Sequence, residues 1–320
     1  METTLITDES RTQYTQSYLD VPDGARLALY EWPAPASPKA VVQITHGLAE
    51  HAGRYDRLAR ALTAAGYAVF ASDHRGHGKT ARDPSELGFF GEESGFKTLV
   101  GDLLAVNREI ASRHPTLPRI LLGHSFGSFV SQAYLFEHAT TLKAVVLSGT
   151  ASANRFAVAP GIGLAQVLRM RLGPRGTSKL LQQLSFGSYN DAFKPTRTEF
   201  DWLSRDPDEV DKYVADALCG FDTTVQGWID LLGGLLYIRS SERQRRLPKD
   251  LPIYLLSGTA DPVGEMGKGP TRLSQQYGAA GLTRVKLNLY ASARHELFNE
   301  TNRDQVTAEL IAWLDSVVAS

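Results

Sequence analysis

At 320 residues the chain is long enough for one large α/β domain plus an insertion. Its 34 Lys and Arg against 35 Asp and Glu give a net charge of -1, which offers no footing for nucleic acid, and a single cysteine, Cys219, excludes an internal disulfide framework. Hydrophobic residues make up 42% of the chain, enough for a sizeable core. Yet the charge-free stretch 120–136 is broken by Gly, Ser, Gln and His, and so reads as strand, turn and helix, not as a membrane span.

Residues 1–13 read as a frayed start. The sequence Met1-Glu2-Thr3-Thr4 has neither the basic n-region nor the apolar h-region of a secretory signal, so the cytoplasm is the expected location. Residues 14–20 and 26–32 flank the turn Pro22-Asp23-Gly24 and predict an antiparallel hairpin, followed by a proline-rich loop at 33–38. The apolar runs 40–45, 67–71, 119–122, 142–147, 251–256 and 285–289 predict buried strands. Residues 54–65, 96–114, 128–138 and 305–318 predict helices, the first stopping at Gly66 and the second at Pro115. This alternation predicts an α/β fold with a mostly parallel sheet covered on both faces. Residues 149–247 break the rhythm with helical, aromatic-rich patches. They are read as an inserted helical cap, with 1–148 and 248–320 forming the two parts of the core. Cys219 falls in the cap and is expected to be a packing residue.

The strand at 119–122 runs into Gly123-His124-Ser125-Phe126-Gly127 and then into a helix. Strand, G-x-S-x-G and helix together form the context of a nucleophile elbow, in which small residues let strand and helix approach and the serine is held clear at a helix N-terminus. A serine hydroxyl needs a histidine as general base and a carboxylate to orient that histidine. With an elbow these follow in the order serine, acid, histidine, at the ends of later strands. No Asp or Glu lies between His138 and Asn190, so the strand at 142–147 cannot supply the acid. The strand at 251–256 leads to Asp261, which is the candidate. Of the eight histidines only His295 follows the last core strand, and it is the candidate base. The oxyanion donors are expected to be the N–H groups of Phe126 and of Leu48, the latter in the loop after the strand at 40–45. His46 is read as a brace for that loop, and Asp73-His74-Arg75-Gly76-His77-Gly78 as a braced turn, not a metal site. No cofactor and no metal are expected.

The segments His46-Gly47-Leu48-Ala49-Glu50-His51-Ala52-Gly53-Arg54-Tyr55, Asp73 to Gly78, Gly123 to Gly127, Gly258-Thr259-Ala260-Asp261-Pro262-Val263 and Arg294-His295-Glu296 carry a resemblance. The chain resembles the serine hydrolases of the α/β-hydrolase fold, and within them the monoacylglycerol lipase and lysophospholipase group. That resemblance implies hydrolysis of a monoacyl ester through an acyl-enzyme on Ser125, without cofactor or metal. The alternative is a short-chain carboxylesterase or thioesterase, and the reading from a different class is a non-catalytic ligand receptor on this fold. An amide-cleaving peptidase would want a cap carboxylate, for which Asp191 and Glu199 are the candidates. Two departures stand out. Lys79-Thr80 replaces a small residue and serine, and Phe126 replaces a common methionine, with a ring expected to narrow the acyl pocket. In the cap, residues 161–172 predict a helix with Leu164, Leu168 and Leu172 on one face. It lies within a stretch that has Arg155, Arg169, Arg171, Arg175 and Lys179 and no acid. Two readings stand open, a helix buried on the core and an interfacial lid that touches anionic lipid. The expected partner is an ester or lipid, with peripheral membrane contact through the cap as a further candidate. Nothing in the sequence fixes an oligomeric state.

Overall fold

A computed structural model describes residues 14–33, 36–152 and 155–319, with the side chains of 155–157 outside the description. The expected frayed start at 1–13, part of the loop at 33–38 and the Arg155 side chain therefore lie outside the described residues.

Among the described residues eight strands form one sheet: β1 (Thr15–Asp20), β2 (Arg26–Trp32), β3 (Val41–Thr45), β4 (Ala68–Ser72), β5 (Arg119–His124), β6 (Ala144–Ser148), β7 (Ile253–Gly258) and β8 (Val285–Tyr290). Their order is β1-β2-β4-β3-β5-β6-β7-β8. β1 pairs antiparallel with β2, and β2 with β4. Every later pairing is parallel. The central strands are apolar at successive positions because both faces are covered, the pattern of a parallel sheet inside an α/β protein.

Among the described residues ten α-helices follow in chain order: α1 (Asp56–Ala64), α2 (Gly95–Arg113), α3 (Phe126–His138), α4 (Arg155–Leu172), α5 (Lys179–Phe186), α6 (Pro207–Ala215), α7 (Val225–Tyr237), α8 (Ser241–Arg245), α9 (Lys268–Ala279) and α10 (Arg303–Val318). Neighbouring strand residues point to opposite sides of the sheet. Leu122, Val146 and Leu256 meet Leu58 and Leu62 of α1 and Leu310 and Leu314 of α10. Leu121, Val145 and Leu255 instead meet Leu103 of α2, Val130 of α3 and Leu273 of α9. The core thus lies on both sides of the sheet.

Helices α4 to α8 all come between β6 and β7. α4 packs on α7, and its Ala165 is fully buried. The sequence places Leu164, Leu168 and Leu172 on one face. Leu164 and Leu168 do pack against the core, but Leu172 is 47% exposed, because the helix starts at Arg155 and its inner face ends before the last turn. Helix α9 is absent from the sequence reading. Gly269, Pro270 and Gly278 mask its inward residues Leu273 and Tyr277.

Candidate active site

Ser125 sits between β5 and α3 with φ 50° and ψ −120°, a backbone conformation that L residues avoid. The turn is this tight because nothing larger than hydrogen fits on either side. A Cβ on Gly127 would lie 2.3 Å from the Thr45 carbonyl oxygen, and one on Gly123 would lie 2.4 Å from Ser131 Oγ. The Ser125 N–H donates to the Ser148 carbonyl at 2.9 Å, which fixes the turn to the next strand.

Asp261 follows β7 and His295 follows β8, so adjacent strand ends bring them together. His295 Nδ1 donates to Asp261 Oδ1 at 3.0 Å, and that oxygen also accepts the Val263 N–H at 2.9 Å. Both residues are almost sealed from solvent, at 2% and 0% exposure. Burial alone would strip their charges, but each overrides it for the other. The His295 pKa is held above its ordinary value and the Asp261 carboxyl below its own. With Nδ1 donating, Nε2 is left as the acceptor that a general base needs. Ser125 and His295 line the same cavity, although no hydrogen bond joins them among the described residues. Such contacts often tighten only around substrate.

The neighbouring histidine, His124, is buried with its ring 4.7 Å from that of His295. Burial first, and the His295 charge second, push its pKa down to about 3, so it stays neutral. Gly149 leaves room for both rings. A Cβ there would lie 2.9 Å from His295 Cε1 and 3.0 Å from His124 Cε1.

The other expected donor, Leu48, lies in the loop after β3. The Gly47 N–H is already taken by Glu50 Oε1 at 2.6 Å. The N–H groups of Leu48 and Phe126 have no intramolecular acceptor among the described residues, and both residues line the cavity. His46 braces the loop as expected: Nε2 accepts the His74 N–H at 3.0 Å, and Nδ1 donates to the Gly47 carbonyl at 2.7 Å. Asp73 is a brace as well. It accepts the Ala52 N–H at 2.8 Å, the Lys79 N–H at 2.7 Å and the Tyr30 hydroxyl at 2.8 Å. Thr80 does structural work too, accepting the Ala28 N–H and donating to the Asp73 carbonyl, both at 2.8 Å.

The segment between β6 and β7 is stitched to this loop. The Ala49 carbonyl accepts the Tyr213 hydroxyl at 2.8 Å and the Gly220 N–H at 2.9 Å, and His51 Nε2 donates to Asp216 at 2.8 Å. Cys219 lies beside that pair, and burial raises its thiol pKa well above the ordinary range.

A cavity of about 810 Å³ is lined by residues of the β6–β7 segment and by residues outside it. Phe129, Leu231, Leu232 and Leu235 give it an apolar wall, while Lys179, Glu199, Asp222 and Glu265 add charge. Trp202 lies 5.2 Å from the His295 ring, in a cluster with Phe186 and Tyr189 that shields the imidazole. The sequence reading missed this role of Trp202, because no local motif marks it. Phe126 departs from expectation. Its ring is packed among Phe90, Phe96 and His77 and is 1% exposed, so it faces the core and does not narrow the cavity.

A family model described as serine aminopeptidase, S33, matches residues 36–302. The monoacylglycerol lipase of Mycolicibacterium smegmatis is 32% identical over 316 residues, covering 96% of this chain and 99% of that one. The monoglyceride lipase of Homo sapiens is 30% identical over 325 residues, covering 97% and 95%. Among solved structures, a thermostable carboxyl esterase from Bacillus coagulans in complex with glycerol superposes with a TM-score of 0.88 at 26% identity, covering 96% of this chain and all of that one.

Proposed function

The chain belongs to the serine aminopeptidase S33 family of α/β-hydrolases, and from that premise we propose that it is a monoacylglycerol lipase or lysophospholipase, working through an acyl-enzyme on Ser125. It is a carboxylic ester hydrolase, as its full-length relatives are. The observation that carries the finer reading is a large, mainly apolar cavity lined by a strained serine and by His295, the histidine of a buried His–Asp pair. A cavity of this size suits one acyl chain.

In this mechanism His295 removes the Ser125 proton as the hydroxyl attacks the ester carbonyl. Asp261 holds the imidazole tautomer and stabilises its cation. The Leu48 and Phe126 N–H groups receive the oxyanion. His295 then protonates the leaving alcohol, and a water activated by the same ring releases the acid. Residues 149–247 act as the cap that selects substrate, on a core formed by 1–148 and 248–320.

Two helices of the cap support contact with a lipid surface. On α4 Met170 is 81% exposed, with Val167 and Leu172 exposed and Arg169 and Arg171 among them, and on α5 Leu184 is 66% exposed, with Leu180 exposed one turn before it. No described helix is long and apolar enough to cross a membrane, so the contact would be peripheral.

An amide substrate with a free amine would need a carboxylate in the cavity. Asp191 is paired with Lys194 at 2.8 Å, which leaves Glu199, on the cavity wall, as the candidate of the two. The deciding experiment is hydrolysis of esters from acetyl to palmitoyl, of a monoacylglycerol and of an aminoacyl anilide, beside Ser125→Ala. Activity rising with chain length and lost in the variant supports the lipase. Activity confined to short esters gives a carboxylesterase, anilide cleavage a peptidase, and no turnover a receptor.

A further inference from the structure

Glu50, Arg54 and Glu296 form an ionic cluster that reaches the site from behind, with side chains only 4%, 10% and 6% exposed. Glu50 Oε1 accepts the Gly47 N–H at 2.6 Å and the Tyr55 hydroxyl at 2.9 Å, and Oε2 accepts Arg54 Nη1 at 2.6 Å. Arg54 also donates to both oxygens of Glu296, at 2.6 Å and 2.8 Å. Glu296 directly follows His295, and Gly47 directly precedes Leu48. One guanidinium therefore joins the loop that carries an oxyanion donor to the loop that carries the general base.

The Gly47 peptide is clamped from two sides. A Cβ on Gly47 would lie 2.7 Å from Glu50 Oε1 and 3.2 Å from Ser125 Cβ. The carboxylate occupies the Gly47 N–H in a charge-assisted bond, while the next N–H along the chain, that of Leu48, is left without an intramolecular acceptor among the described residues. Two carboxylates share one cation here. Burial works to raise both carboxyl pKa values. At Glu296 the Arg54 pair overrides it and holds the carboxyl down to about 2, while at Glu50 burial prevails.

We propose that Glu50 is a positioning residue for the oxyanion hole. It holds the Gly47 N–H and so turns the Leu48 N–H toward the developing oxyanion, while Arg54 keeps that peptide in register with the His295 loop. This rests on the serine-hydrolase reading of the site. Glu50 touches no reacting atom, so its loss should appear where the oxyanion exists and not in ground-state binding.

The test compares Glu50→Met, which keeps bulk but offers no acceptor oxygen, with Glu50→Gln, which keeps a carbonyl for the Gly47 N–H. Both are read by kcat and KM on a soluble nitrophenyl ester, and by the affinity of an alkyl boronic acid, whose tetrahedral adduct on Ser125 mimics the oxyanion. Glu50→Met is expected to lower kcat by about 100-fold, with KM changed less than about threefold, and to weaken boronate binding in parallel. Glu50→Gln should recover at least about tenfold of that loss. A folded Glu50→Met with kcat and boronate affinity near wild type overturns the proposal, and so does a Gln variant as poor as the Met variant. If the Met variant does not fold, a Gln variant more than about tenfold below wild type in kcat overturns it. Ser125→Ala, run alongside, separates the two ideas: if it retains activity, the serine-hydrolase reading itself has failed.

Discussion

Gly149→Ala should damage catalysis more than it damages the fold. Gly149 lies just past β6 with φ 57°, and a Cβ there would approach His295 Cε1 to 2.9 Å and His295 Nδ1 to 3.1 Å, where ordinary contacts lie at 3.4–4 Å. The left-handed backbone costs an alanine about 1–2 kcal/mol, a modest fraction of a domain's stability. The His295 ring must also give way by roughly 0.5 Å, and since a 1 Å misplacement can cost 10²-fold, the expected loss in kcat is about 10- to 100-fold. The control is Gly24→Ala. Gly24 also has positive φ, at 87°, but nothing lies within 4 Å of its would-be Cβ. It should lose a similar amount of stability and keep its activity. The assay is kcat on a soluble ester together with thermal unfolding of both variants. A Gly149→Ala enzyme within twofold of wild type would refute the reasoning, as would an equal loss of activity in Gly24→Ala.

Because Asp261 holds the His295 pKa above its ordinary value, the neutral ring that a general base requires is lost at higher pH than usual, so the acidic limb of kcat/KM should lie above pH 6.5. A pH–rate profile reads it directly, and Asp261→Asn should lower kcat by up to about 10⁴. Glu300, fully buried, accepts the Arg205 Nε–H at 2.8 Å and the Arg294 N–H at 2.7 Å. Glu300→Ala leaves the buried Arg294 N–H and the Arg205 Nε–H without their acceptor and should cost about 1–3 kcal/mol, seen as a lower Tm in thermal unfolding. Arg169→Glu combined with Arg171→Glu should weaken sedimentation with anionic vesicles and spare hydrolysis of soluble esters. Unchanged vesicle binding would end the idea of a lipid-facing cap.

Much of the fold was legible because its strands are covered on both faces. Runs such as Ile120-Leu121-Leu122 and Val145-Val146-Leu147 have no other plausible fate than a sealed strand. Most boundaries shifted by a residue or two, as helix and strand ends do, while the helix expected at 161–172 starts six residues earlier, at Arg155. Helix α9 hid behind glycine and proline. Leu172 shares a helix face with Leu164 and Leu168 and yet is exposed, because a sequence gives the period of a helix but not where its contact with the core stops. Ser125, Asp261 and His295 are legible as candidates because each follows a strand, in the serine, acid, histidine order that goes with an elbow. The Glu50–Arg54–Glu296 cluster did not. Arg54 and Glu296 are 242 positions apart, and each has an ordinary surface reading until the fold buries them.

The seam at Ala49 bears on how such enzymes can be recombined. Tyr213 and Gly220 belong to the cap, yet their hydrogen bonds end on a carbonyl one residue from Leu48. Exchanging the whole cap for a relative's would therefore replace part of the scaffolding of the reaction centre along with the walls of the cavity. A chimera that keeps this chain's residues 213–220 and swaps only helices α4 and α5 would change the surroundings of the substrate while leaving that scaffolding intact.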